Sequence, residues 1–97
     1  DLQLSREVKL MDEVLLRISQ DGAVAYGISE VQEAVELGAV DQVLVADTLL
    51  HDDRITQLIQ KAETMRATIV VLSSDFEPGE RLIALGGIAA LLRYRVA

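Results

Sequence analysis

Two short apolar runs, Val43-Leu44-Val45-Ala46 and Thr68-Ile69-Val70-Val71-Leu72, constrain the fold of this chain more than any other feature. A run without polar alternation predicts a strand covered on both faces. The β-branched residues of the second run favour the same state. Both runs read as central strands of one sheet. The segments around them are amphipathic. Leu4, Val8, Met11, Leu15 and Ile18 recur at helical steps, and Asp12, Glu13 and Arg17 lie off that face. Asp21-Gly22 ends this helix with turn chemistry, and Ala23–Tyr26 is a short strand closed by Gly27.

Ser29-Glu30-Val31-Gln32 reads as a capping box opening a second helix. Val31, Ala34 and Val35 form its buried side, and Gly38 suits its left-handed end. Asp52 or Asp53 caps a third helix, whose inward residues are Ile55, Leu58, Ile59, Ala62 and Met65. Pro78 fits the first turn of a short fourth helix, in which Leu82, Ile83 and Leu85 follow. Gly86 stops that helix. The last strand starts apolar on both faces, then sets Leu92, Tyr94 and Val96 against Arg93 and Arg95. That alternation predicts a strand leaving the buried sheet for a wetter edge. The order predicts an α/β fold, a three-layer α/β/α sandwich whose last strand is free to run antiparallel.

Ninety-seven residues fit a single domain, 1–97. The chain begins at Asp1 without Met and reads as a piece of a longer protein. The absence of cysteine excludes disulfides and thiolate metal sites. No apolar run reaches the roughly 18 residues of a spanning helix, so no membrane role is expected. A net charge of −7, with Lys9 and Lys61 the only lysines, argues against autonomous nucleic-acid binding.

Asp47, Asp52, Asp53, Asp75, Glu77 and Glu80 follow the carboxyl ends of two predicted strands, the edge where open α/β sheets bind ligands. A hard cation fits such a set, but helix caps and first-turn acids explain it more simply. His51 lies in a loop with no strained nucleophile turn nearby. No catalytic residue, metal site or cofactor is assigned. Glu30, Glu33 and Glu36 form an acidic helix face, most simply a solvated one, which a positively charged partner could also read. Arg93 and Arg95 suit either partner contact or protection of a strand edge by charge. Tyr94 is expected to pack its ring with a wet hydroxyl. With no large apolar face predicted, the chain is expected to be a monomer.

Tyr26-Gly27, Val31, Glu36-Leu37-Gly38-Ala39-Val40 and Val43–Asp47, followed by Gly79-Glu80-Arg81-Leu82 and Leu85–Val96, resemble the C-terminal domain of the family of Pelota and the class I peptide-chain release factors. The Gly86-Gly87-Ile88-Ala89-Ala90 segment with Leu92-Arg93-Tyr94 is similar to the Pelota branch, and the compact loops and acidity to its archaeal members. The resemblance implies a four-stranded mixed sheet related to ribosomal proteins that bind kink-turn RNA, and a third domain whose two upstream domains are missing. It implies a cytoplasmic, non-enzymatic docking role in ribosome rescue and mRNA surveillance. The nuclease activity suggested for the family lies in the N-terminal domain. The implied partners are an elongation-factor-like GTPase, an ABC-type ribosome-recycling ATPase and, through the whole protein, the ribosome. Leu92, Arg93 and Tyr94, with Arg95, then form the partner-binding segment, and Glu30 and Glu33 are added from the acidic face. The alternative is an RNA-binding module. Kink-turn binders carry Gly-x-Asn-Glu-x-x-Lys where this chain has Gly27-Ile28-Ser29-Glu30-Val31-Gln32-Glu33. Glu in place of Lys reverses a phosphate contact.

Overall fold

A computed structural model of the chain describes residues 2–96. Helix α1 (Leu2–Ser19) is followed by β1 (Val24–Tyr26), α2 (Ile28–Glu36), β2 (Val40–Ala46), α3 (Asp53–Thr64), β3 (Thr68–Leu72), α4 (Glu77–Ala84) and β4 (Ile88–Leu92). The strands form one sheet in the order β1-β4-β2-β3. β2 and β3 are parallel, and β4 runs antiparallel to both of its neighbours. The sheet is therefore mixed and four-stranded, as expected.

Strand periodicity divides the core into two layers. Val43 and Val45 of β2 and Ile88, Ala90 and Leu92 of β4 face one side, under Val31, Ala34 and Val35 of α2 and Ile55, Leu58 and Ala62 of α3. Leu44, Ala46, Ala89 and Leu91 face the other side, under Met11 and Val14 of α1 and Leu82 of α4. This is the three-layer sandwich. Ile83 of α4 is exposed. Glu7 is buried on α1; one carboxylate oxygen accepts from Gln3 Nε2 at 3.0 Å and the other has no hydrogen-bond partner among the described residues.

Strand placement departs from the sequence reading. β4 lies in the middle of the sheet, hydrogen-bonded on both sides, and ends at Leu92. Arg93, Tyr94 and Arg95 lie beyond it in bends and coil, so they do not alternate across a sheet. β3, expected to be central, is an edge strand. Helices cover Ile69 from one side and Val70 and Leu72 from the other, while Thr68 and Val71 stay exposed.

Helices α2 and α3 start in different ways. The capping box at Ser29 does not form. α2 begins at Ile28, with Gly27 at its N-cap at φ 85° and no side-chain cap. Only glycine adopts that backbone without steric cost, and the strand-to-helix turn places it one residue ahead of the helix. Asp52 does cap α3, and its carboxylate accepts from the Arg54 backbone N–H at 2.9 Å. The Arg54 guanidinium and this N–H hold the Asp52 carboxyl below its ordinary 3.8. A carboxyl depressed in the folded state stabilises above its unfolded value and loses that contribution as pH falls through its folded value. Asp52→Ala is thus expected to lower the melting temperature at neutral pH. Its difference from the parent should shrink as the pH drops well below 3.8, where the charge-linked part is lost. Thermal melts across an acid pH series check this.

Candidate partner-docking surface

The end of β4 is fastened before the chain leaves the sheet. Leu92 N–H donates to the Ala23 carbonyl at 3.1 Å, and Arg93 N–H to the Ala39 carbonyl at 2.7 Å. Arg17 Nη1 donates to the carbonyls of Ala23 (3.0 Å) and Leu92 (3.3 Å), and Arg17 Nε pairs with Glu13 at 2.6 Å. The sequence places Arg17 off the apolar face of α1. The guanidinium fork secures the last carbonyl of β4, and no sequence pattern marks a partner 75 residues away.

Beyond this clamp the tail fans out over three helix ends. Arg93 Nη2 donates to the carbonyl of Met65, the residue closing α3, at 2.9 Å. Tyr94 Oη donates to the carbonyl of Leu37, which closes α2, at 3.3 Å. Arg95 Nη2 meets Asp21 Oδ2 at 2.7 Å in the turn after α1. Carbonyls at a helix end lack intrahelical partners, and positive charge is favoured there by the helix dipole. The two arginines therefore have intramolecular partners as well as exposed surface. Tyr94 is 53 % exposed and so is not a packed ring.

The six candidate residues fall into two groups. Arg93 and Tyr94 lie over the ends of α3 and α2. Arg95, Glu30, Glu33 and Leu92 gather around Val96. One groove of about 340 Å³ is lined by Asp21, Tyr26, Glu30, Arg95 and Val96. Another of about 230 Å³ is lined by Glu30, Glu33, Leu92 and Val96. Leu92 is 5 % exposed and forms part of the groove floor, since its side chain belongs to the core. Glu30 and Glu33 are exposed and make no ion pair among the described residues. The surface thus offers two unpaired carboxylates beside an Arg95–Asp21 pair, with an aromatic ring a short way around the domain.

Three of the carboxylates at the opposite end of the sheet have structural partners. Asp47 Oδ1 accepts from the Ser74 N–H at 3.1 Å, Asp52 caps α3, and Glu77 pairs with Arg81 at 3.1 Å. Among the described residues no group of three or more His, Cys, Asp or Glu is arranged to hold a metal. His51 is exposed. No helix among them is long and apolar enough to cross a membrane.

Comparison with known proteins fits this architecture. Residues 4–96 match the family model of eRF1 domain 3. The chain is 70 % identical over 96 residues to a protein pelota homolog of Methanoregula boonei and 66 % identical over 96 residues to that of Methanoculleus marisnigri. Each match covers 99 % of this chain but 28 % of the relative, so the chain spans little more than a quarter of their length. The crystal structure of Archaeoglobus fulgidus Pelota superposes with a TM-score of 0.92 at 40 % identity, over 98 % of this chain and 31 % of that one. Ribosome-bound archaeal Pelota, in a structure with ABCE1, gives 0.85 at 44 % identity, over 100 % of this chain and 28 % of that one. Dom34 of S. cerevisiae, a translation termination-like factor of RNA quality control that interacts with Hbs1, gives 0.85 at 36 % identity, over 95 % and 28 %. The chain belongs to the family of Pelota and the class I release factors, on its Pelota branch.

Proposed function

We propose that the chain is the C-terminal, third domain of a ribosome-rescue factor and serves as its partner-docking piece. Its partners are an elongation-factor-like GTPase and an ABC-type ribosome-recycling ATPase, in the cytoplasm, on stalled ribosomes. The relatives support this reading, since one is bound to the ribosome with ABCE1 and another interacts with Hbs1. The observation that carries it is the fastened tail. Arg17, Arg93, Tyr94 and Arg95 bind backbone and Asp21 so as to hold a charged surface in one geometry. A preformed surface spends less of its contact energy on ordering. A chemical role for the domain gains no support from its scattered carboxylates. The RNA reading is weakened by Glu33, an exposed carboxylate where a phosphate-binding Lys would stand.

The test uses the two glutamates, because they have no internal ion pair to lose. Calorimetric titration of each partner against the parent chain and against the Glu30→Lys/Glu33→Lys variant should show binding weakened about tenfold or more for one of them. The melting temperature should stay within a degree or two of the parent, as for exposed substitutions. An unchanged affinity in the folded variant removes these residues from the interface. Absence of binding to both partners by the parent chain would sink the docking reading.

A further inference from the structure

The composition of β3 does not match its position. Thr68-Ile69-Val70-Val71-Leu72 is β-branched, uncharged and free of proline, yet the strand has a neighbour on one side only. Edge strands are usually blunted by charge, proline or shortness. β1, at the other edge, is only three residues long. β3 has five, with Thr68 exposed and Val71 42 % exposed. Its outward main-chain groups form a template for another strand.

We propose that this edge pairs with the same edge of a second copy of the chain, antiparallel about Val70, joining two four-stranded sheets into one. The flanking charges select that occupant. Arg66 precedes the strand and Asp75 follows it; both are exposed, and neither makes an ion pair among the described residues. With Val70 opposite Val70, a residue a given number of places before it faces the residue the same number after it. The left-handed turn that carries Arg66 before the strand of one copy then lies at the same end as the turn that carries Ser74 and Asp75 after the strand of the other, and the two-fold axis repeats the juxtaposition. A parallel arrangement would instead set Arg66 against Arg66. In the antiparallel register Ile69 also faces Val71 on one side of the sheet, an apolar cross-strand pair made twice.

Exposed ion pairs contribute little individually, so the charges set register while main-chain bonds and the apolar pairs supply the attraction. The charge of −7 on each copy opposes approach, which makes the association weak and best read at physiological salt, where distant charges are screened. The monomer expected from the sequence rested on the lack of a large apolar face. Strand pairing draws on main-chain groups and needs no such face.

Sedimentation velocity over a dilution series from millimolar concentration tests the proposal. The parent chain should show a reversible monomer–dimer equilibrium. Val71→Lys should be monomeric throughout, with an unchanged circular dichroism spectrum. Arg66→Asp and Asp75→Arg should each weaken the dimer about tenfold, and the two together should restore it. That restoration separates register pairing from a general loss of structure. A parent chain that is monomeric at every concentration overturns the proposal and leaves the edge to a strand from another protein. A dimer indifferent to both single reversals overturns the register.

Discussion

Gly79→Ala is expected to destabilise the domain by about 3 kcal/mol or more, at the upper end of overpacking effects. For a chain of this size that lowers the melting temperature by on the order of 15 °C. Gly79 is buried near the start of α4, and a Cβ there would stand 2.0 Å from the Ser73 carbonyl oxygen and 2.6 Å from its carbon. Both are backbone atoms, so no flexible side chain can yield. The Ser73-Ser74 loop cannot retreat cheaply, because Ser74 N–H is tied to Asp47 Oδ1 at 3.1 Å. The glycine is required for close approach of helix and loop. Differential scanning calorimetry of the variant measures the loss, and a melting temperature within a few degrees of the parent would show that α4 shifts freely against β3.

Leu92→Ala is the second large effect. Leu92 is 5 % exposed, packs in the core cluster under α2 and α3, and pairs with Val40 across the sheet. Truncating a buried leucine costs about 2–5 kcal/mol. That is a large part of the roughly 5–15 kcal/mol that holds a domain of this kind together. Tyr94→Ala, by contrast, removes an exposed ring and one long hydrogen bond of 3.3 Å, and should change stability by under about 1 kcal/mol. The Leu92-Arg93-Tyr94 segment therefore has mixed roles. Lost binding in a Leu92 variant reports unfolding, whereas lost binding in a Tyr94 variant reports contact. Chemical denaturation beside titration with the proposed GTPase partner separates them. A Leu92→Ala chain as stable as its parent would refute the assignment of this residue to the core.

Much of the architecture was legible because it depends on local periodicity. The helical stripes of Val31, Ala34 and Val35 and of Ile55, Leu58 and Ala62 each predicted the buried face found. The antiparallel option for β4 followed from the short helix before it, and was realised. Edge and centre were not legible. Val70 and Leu72 are covered by one helical layer and Ile69 by the other, so β3 has the apolar signature of a central strand although it has one neighbour. Burial of strand faces is written in side chains, while strand order is written in main-chain pairing that side-chain pattern does not report.

The candidate surface divides in the same way. Composition and family resemblance pointed to Arg93, Tyr94, Arg95, Glu30 and Glu33. They did not reveal that Arg17 secures the end of β4, that Arg93 and Arg95 diverge to Met65 and Asp21, or that Leu92 lies in the groove floor. By itself the sequence determined the fold class, the buried faces of its helices and the family, because each rests on local spacing or on an ordered set of residues. The tertiary structure alone decided the strand order, the free edge of β3 and the grouping of charges around Val96. Those depend on contacts between residues distant along the chain, whose meeting is set by packing of the whole sheet.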